Sequence, residues 1–227
     1  MKKKEQVQEP TVEIQPIEYE TQAIEETANV LFKPNPGPQT DFLAAAEREV
    51  LYGGSAGGGK SYAMLSDPLR YMGHPAFSGL LLRHTTEELR ELVFKSQELY
   101  PKIWPGIKWS ERKMQWTAPS GARLWMSYLD RDDDVLRYQG LAFSWIGFDE
   151  LTQWATPYAW NYMRSRLRST APDLPIYMRA TTNPGGRGHH WVKKMFIDPA
   201  PYNRAYDATD IETGEVLRYP AGHAKAG

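Results

Sequence analysis

A lysine and a serine close a run in which five of the seven residues 53–59 are glycine; residues 50–65 read VLYGGSAGGGKSYAML. Glycine has no Cβ, so its backbone can take positive φ and come close to a ligand, at an entropic cost in folding that some interaction must offset. The run fits Gly-x-x-x-x-Gly-Lys-Ser, the Walker A pattern, with Gly54 first and Gly59, Lys60 and Ser61 last. In such a loop the backbone N–H groups point into one concavity, and the start of the following helix adds partial positive charge, so phosphate oxygens are cradled. Gly54, Ser55, Ala56, Gly57, Gly58, Gly59, Lys60 and Ser61 are the expected phosphate contacts, Lys60 reaching the β- and γ-phosphates and Ser61 ligating Mg²⁺. A flexible Gly-rich turn is the simpler alternative. The strand end at Val50 to Tyr52 and a helix expected over Ser61 to Met72 favour the phosphate loop.

Phosphate binding leaves the fate of the nucleotide open, and the stretch SWIGF, which ends at Asp149 and Glu150, bears on it. In this Walker B position Asp149 would hold the hydration shell of the metal, and Glu150 would orient a water for in-line attack on the γ-phosphate. One carboxylate would serve the metal, so the second points to hydrolysis rather than transfer to an organic acceptor. An ordinary acidic strand end is the alternative. In RATTNPGG, residues 179–186, Thr182 and Asn183 end another apolar strand with side chains able to sense the γ-phosphate, unless the segment is a plain turn. Charge on a transferring phosphoryl group also calls for an arginine finger. Arg137 in VLRYQG is the candidate, with Arg83 and Arg131 competing. Arg164 and Arg168, four apart on one expected helix face, read either as DNA-backbone contacts or as a solvated face. The adjacent His189 and His190 share no face and give no expectation of zinc.

These groups need a frame. Apolar strands are expected at Leu80 to Arg83, in SWIGF and in IYMRATTN, and the hairpin KMQWTA/ARLWMSYL turns at Pro119 to Gly121. Between them, Gln39 to Glu47 predict a short helix and Pro157 to Arg168 another, while Thr85 and Glu88 form a capping box for a helix to about Tyr100. Alternating strands and helices argue for an α/β domain whose mostly parallel sheet is covered on both faces. Ligands of such sheets sit beyond the carboxyl ends of the strands, where the loop, Asp149-Glu150 and Thr182-Asn183 would meet. Residues 1–30, rich in Glu, Gln, Thr and Pro, read as a disordered acidic tail, and 31–227 as the folded domain. Of the 227 residues 41% are hydrophobic and none is cysteine, which excludes disulfides and thiolate metal sites. The net charge of −1 gives no global pull toward nucleic acid, although a local basic face could still grip DNA. No apolar run or signal-like start marks a membrane or secreted protein, so an intracellular, soluble chain is expected.

The order PNPGPQTDFL, LYGGSAGGGKS, RYQG, WIGFDEL and ATTNPGG, over about residues 31–197, resembles the ATPase domain of tailed-bacteriophage terminase large subunits, the motors that package DNA. The resemblance implies a RecA-like P-loop NTPase of the additional-strand class that uses ATP and Mg²⁺. It gives Gln39 to the adenine, Gly54 to Ser61 to the phosphates, Asp149 to the metal and Glu150 to the catalytic water. Thr181, Thr182 and Asn183 would couple hydrolysis to movement, and Arg137 would be the finger offered to a neighbouring subunit. Implied partners are double-stranded DNA, the portal and procapsid, and the small terminase subunit, in the host cell cytoplasm. A homo-oligomeric ring is implied on assembly, with a monomer left open for the isolated chain. Two features depart from the family pattern. Many members carry an arginine in the phosphate loop, where Ser55, Ala56, Gly57 and Gly58 stand here, which makes a finger in trans more necessary. The family also resembles a two-domain plan with an RNase-H-like nuclease, but beyond a hairpin expected around Glu212 to Gly214 no acidic triad follows, so no nuclease activity is expected of this chain. A helicase-like or other DNA-remodelling ATPase, and a nucleotide-gated assembly module without turnover, are the competing readings.

Overall fold

The computed structural model describes residues 32–199 and two strands, 206–209 and 216–219; the tail expected over 1–30 lies outside the described residues. In chain order the elements are α1 (Pro38–Ala44), β1 (Glu49–Gly53), α2 (Lys60–Ser66), β2 (Ser78–Arg83), α3 (Thr86–Ile103), β3 (Lys108–Ser110), β4 (Gln115–Thr117) and β5 (Arg123–Tyr128). There follow β6 (Trp145–Phe148), α4 (Tyr158–Arg164), β7 (Tyr177–Thr182), α5 (His189–Val192), β8 (Tyr206–Thr209) and β9 (Val216–Tyr219). Seven strands form one sheet in the order β1-β7-β6-β2-β5-β4-β3. The first five are mutually parallel, and β4 and β3 extend them as antiparallel strands. β7 therefore stands between the strand that feeds the glycine loop and the strand that ends at Asp149. β8 and β9 pair antiparallel, as the hairpin expectation requires, while its turn lies outside the described residues.

Strands buried on both faces carry near-continuous apolar runs, and alternate residues serve alternate layers. Leu81 joins Met64, Leu65, Leu92 and Tyr100 on the face covered by α2 and α3, whereas Leu80 and Leu82 join Trp160, Met163, Val192 and Phe196 on the other. In β6 the same alternation sends Trp145 to the first layer and Ile146 and Phe148 to the second. Gly147 faces the first layer, where an added Cβ would overlap the Trp145 ring and lie 2.8 Å from Met64 Sδ. The indole and thioether fill the volume that a side chain would need.

Several expected boundaries shift for local reasons. α2 stops at Ser66 and a 3₁₀ turn, Asp67–Tyr71, follows, because Pro68 has no N–H to continue the helix. α3 begins as its capping box dictates, with Thr85 Oγ1 accepting from Glu88 N and Glu88 Oε2 from Thr85 N, both at 3.3 Å. α4 ends at Arg164 rather than Arg168, since Leu167 pairs with Phe143 in an isolated bridge. Arg168 is thus off the helix, and the shared face expected for Arg164 and Arg168 does not exist.

Candidate nucleotide site

The parallel register aligns the carboxyl ends of four strands. Gly53 lies beside Thr182, Tyr52 beside Thr181, Phe148 beside Ala180 and Leu82 beside Phe148. Residues one step further on form a row: Arg83, Asp149, Thr181 and the start of the glycine loop. Asp149 is almost wholly buried, and its N–H donates to Leu82 O at 2.9 Å. Thr181 Oγ1 donates to Asp149 Oδ1, and Arg83 Nε lies 2.9 Å from Oδ2. Burial pushes the Asp149 carboxyl upward, and Arg83 first and then Thr181 oppose that shift.

Glu150 adopts a left-handed backbone, φ 61° and ψ 55°, rare for a residue with a side chain and worth roughly 1–3 kcal/mol of strain. That turn carries its carboxylate toward β7, where Oε2 accepts from Asn183 N at 3.1 Å and Oε1 from Asn183 Nδ2 at 2.9 Å. Glu150 N in turn donates to Thr181 Oγ1 at 3.3 Å. Thr182 Oγ1 meets Thr152 Oγ1 at 2.7 Å, so the segment after β6 and the end of β7 are bonded side by side. Thr152 has no distinguishing mark in the sequence; a hydroxyl three residues after an acidic strand end carries no signal until β7 stands beside it.

The loop between β1 and α2 closes on itself. Lys60 is buried at the head of α2, its Nζ donating to Gly54 O at 3.0 Å and Ser55 O at 2.7 Å. Gly59 has φ 75°, and a Cβ there would come within 2.7 Å of Gln39 Nε2. Gln39 is buried, its Nε2 donating to Gly59 O at 2.9 Å and its Oε1 accepting from Asn35 N at 2.6 Å. Its amide thus ties the lead-in segment to the end of the loop. A cleft of about 640 Å³ runs beside the loop, lined by Phe42, Val50, Gly53, Gly54, Asn183 and His189 among others; Lys60, Ser61, Asp149 and Glu150 are not in its lining. The row of Arg83, Asp149 and Thr181 and this cleft are neighbours, joined through Thr182 and Asn183.

Arg137 stands apart from this row. Its Nη2 lies 2.7 Å from Asp134 Oδ1, its Nε donates to Asp134 O at 3.0 Å, and its guanidinium lies over the Tyr128 ring. The three aspartates 132–134 begin a 3₁₀ helix, Asp132–Tyr138. Asp134 accepts from the N–H groups of Asp130 and Arg131, and those bonds together with Arg137 hold its carboxyl below the usual range. Arg164 is bound to Glu49, with Nε–Oε1 at 2.5 Å and Nη2–Oε2 at 2.6 Å. Arg168 donates to the carbonyls of Gly140 and Leu141.

A family model described as phage terminase large subunit matches residues 46–217. The chain belongs to the phage terminase large subunit family. Among solved structures, the large terminase ATPase domain of Thermus phage P74-26 aligns at 14% identity and TM-score 0.52, covering 75% of this chain and 73% of that one. The large terminase of a thermophilic bacteriophage aligns at 17% identity and TM-score 0.55, over 73% of this chain. That of bacteriophage HK97 aligns at 14% and 0.51, over 72%. These likenesses establish the fold, the RecA-like P-loop α/β architecture with its mostly parallel sheet. The terminase chain spans 43% of the thermophilic phage protein and 36% of the HK97 protein that it matches. No curated protein sequence is significantly similar to it. Among the described residues no helix is long and apolar enough to cross a membrane.

The donors at the row suit Mg²⁺. Asp149 Oδ2 is a buried oxygen with no hydrogen-bond donor aligned on it, and Ser61 is the second residue of α2. Among the described residues no group of three or more His, Asp or Glu could hold a metal alone.

Proposed function

We propose that residues 31–227 are the ATP-hydrolysing motor domain of a DNA-packaging terminase, coupling turnover of Mg-ATP to movement of double-stranded DNA into a procapsid. The observation that carries this reading is the bonded row of Asp149, Glu150, Thr181 and Asn183 beside a Gly54–Ser61 loop, in a chain of this family. The N–H groups of the loop and of the start of α2 bind the β- and γ-phosphates, and Lys60 exchanges its two loop carbonyls for phosphate oxygens. Asp149 and the Ser61 hydroxyl hold Mg²⁺, which when bound supplies positive charge against the phosphate oxygens. Glu150 accepts the proton of a water aligned with the γ-phosphate; its present bonds to Asn183 hold it until the water arrives.

That same pair offers a route from chemistry to motion. Any shift of Glu150 on loss of the γ-phosphate is felt by Asn183 and, through Thr181 and Thr182, by β7 and Thr152. Arg137 is the residue offered to a neighbouring subunit's nucleotide in a ring, once it leaves Asp134. DNA, portal and small-subunit partners follow from the family reading.

The test is ATP turnover and nucleotide binding in Lys60→Ala and Glu150→Gln proteins. The motor reading expects Lys60→Ala to lose binding and Glu150→Gln to bind ATP while losing turnover. Packaging that survives Glu150→Gln but not Lys60→Ala would replace it with a nucleotide-gated assembly module. Turnover per wild-type chain should rise with protein concentration, and concentration-independent turnover would remove Arg137 from the trans role.

A further inference from the structure

The cation at Asp149 is Arg83, the last residue of β2, placed there because Leu82 and Phe148 are register partners. Arg83 is 7% exposed and Asp149 1%. A lone carboxylate so buried is strongly disfavoured, and a guanidinium beside it offsets that penalty. Arginine normally closes such a pair with two parallel N–H···O bonds. Here Nε and Oδ2 are at ion-pair distance, yet neither atom has an aligned hydrogen bond. Arg83 therefore faces Oδ2 as a charge without an aligned hydrogen bond, while Thr181 fixes the carboxylate through Oδ1. Arg83 also acts, at longer range, on Glu91 of α3, whose carboxyl is held below the usual range by Lys95 first and by Arg83 least.

We propose that Arg83 is an internal counterion that stands in the place of the metal's charge at Asp149 and gives way when a divalent cation reaches the carboxylate. This rests on the reading of Asp149 as the metal carboxylate. Arg83 is a positioning residue: it keeps a buried anion in place between turnovers and makes metal entry an exchange of one cation for another.

Two measurements test it. In EDTA, Arg83→Gln and Asp149→Asn should each lower the melting midpoint by roughly 5–10 °C, and the double variant should regain at least about half of the summed loss. Fully additive losses overturn the pairing. If Arg83→Gln does not fold but the double variant does, the pairing stands; if neither folds, it is overturned. In the second measurement ADP binding is followed as MgCl₂ is raised. Arg83→Gln should reach the half-maximal effect at roughly three- to tenfold less Mg²⁺ than the wild type. A requirement that is unchanged or higher, with Asp149→Asn having lost its Mg²⁺ response, overturns the exchange alone. A wild-type Mg²⁺ response in Asp149→Asn overturns the metal assignment and the exchange with it.

Discussion

Two acid–arginine pairs lie at opposite ends of the same sheet. At the amino ends, Glu49 of β1 meets Arg164 of α4 with both carboxylate oxygens, and Oε2 also accepts from the Trp160 indole at 3.2 Å. At the carboxyl ends, Asp149 meets Arg83 through one nitrogen at ion-pair distance and keeps Oδ2 without an aligned donor. The residue types match, and the hydrogen bonding differs. The first pair is a two-pronged tie between β1 and α4. The second stands among a lysine folded onto its own loop and a glutamate held in left-handed backbone by an asparagine. The expectation drawn from this contrast is that Glu49 serves architecture and that the carboxylates at the carboxyl ends serve chemistry.

Glu150→Gln puts that distinction under the most severe strain. It should lower ATP turnover by about 10²–10⁴, measured by phosphate release, with the melting midpoint within about 3 °C of wild type because Asn183 keeps a partner. Turnover within tenfold of wild type would put Glu150 with Glu49 among the architectural acids. Glu49→Ala should do the reverse. Urea unfolding should show a loss of about 2–3 kcal/mol, below the full value for a broken buried pair because Arg164 is half-exposed. Turnover per folded molecule should not change.

Packing rather than charge is probed by Gly147→Ala. The Trp145 ring and Met64 must shift to admit a methyl group, and the expected loss is about 1–3 kcal/mol by urea unfolding, with the row's residues intact. A neutral result would mean that the first layer yields more readily than its close packing implies.

The smallest effect concerns acid. The Asp134 carboxyl is depressed in the folded protein by the Arg131 N–H first, then by Arg137 and the Asp130 N–H. Its contribution is therefore present above the unfolded carboxylate range near pH 4 and is lost as pH falls through the lower folded value. Asp134→Asn should slightly flatten the fall of the melting midpoint below about pH 4. It should also loosen Arg137, so that turnover in mixtures of chains rises at lower protein concentration; an unchanged concentration dependence would detach Asp134 from the finger.

Local chemistry explains why much of this was legible from residues alone. The glycine loop with Lys60 and Ser61, the Thr85–Glu88 capping box, the hairpin at Pro119 to Gly121 and the acidic end of β6 each depend on neighbours within a few positions. So their spacing is sufficient. Where a boundary was misplaced in α4, a nonlocal contact decided it. The Phe143–Leu167 bridge ended that helix early and took Arg168 off the face it was expected to share with Arg164.

A glycine-rich loop after one strand and a pair of carboxylates at the end of another can be read from the chain itself, because periodicity and turn chemistry are written in consecutive residues. Which groups they meet is a property of the assembled sheet. Insertion of β7 between β1 and β6 set Thr181 against Asp149 and Asn183 against Glu150. Pairing of β2 with β6 turned Arg83, one of three arginines competing for a finger, into the buried partner of Asp149. Strand order and register are settled by burying both faces of the whole sheet at once, and no stretch of sequence holds that sum.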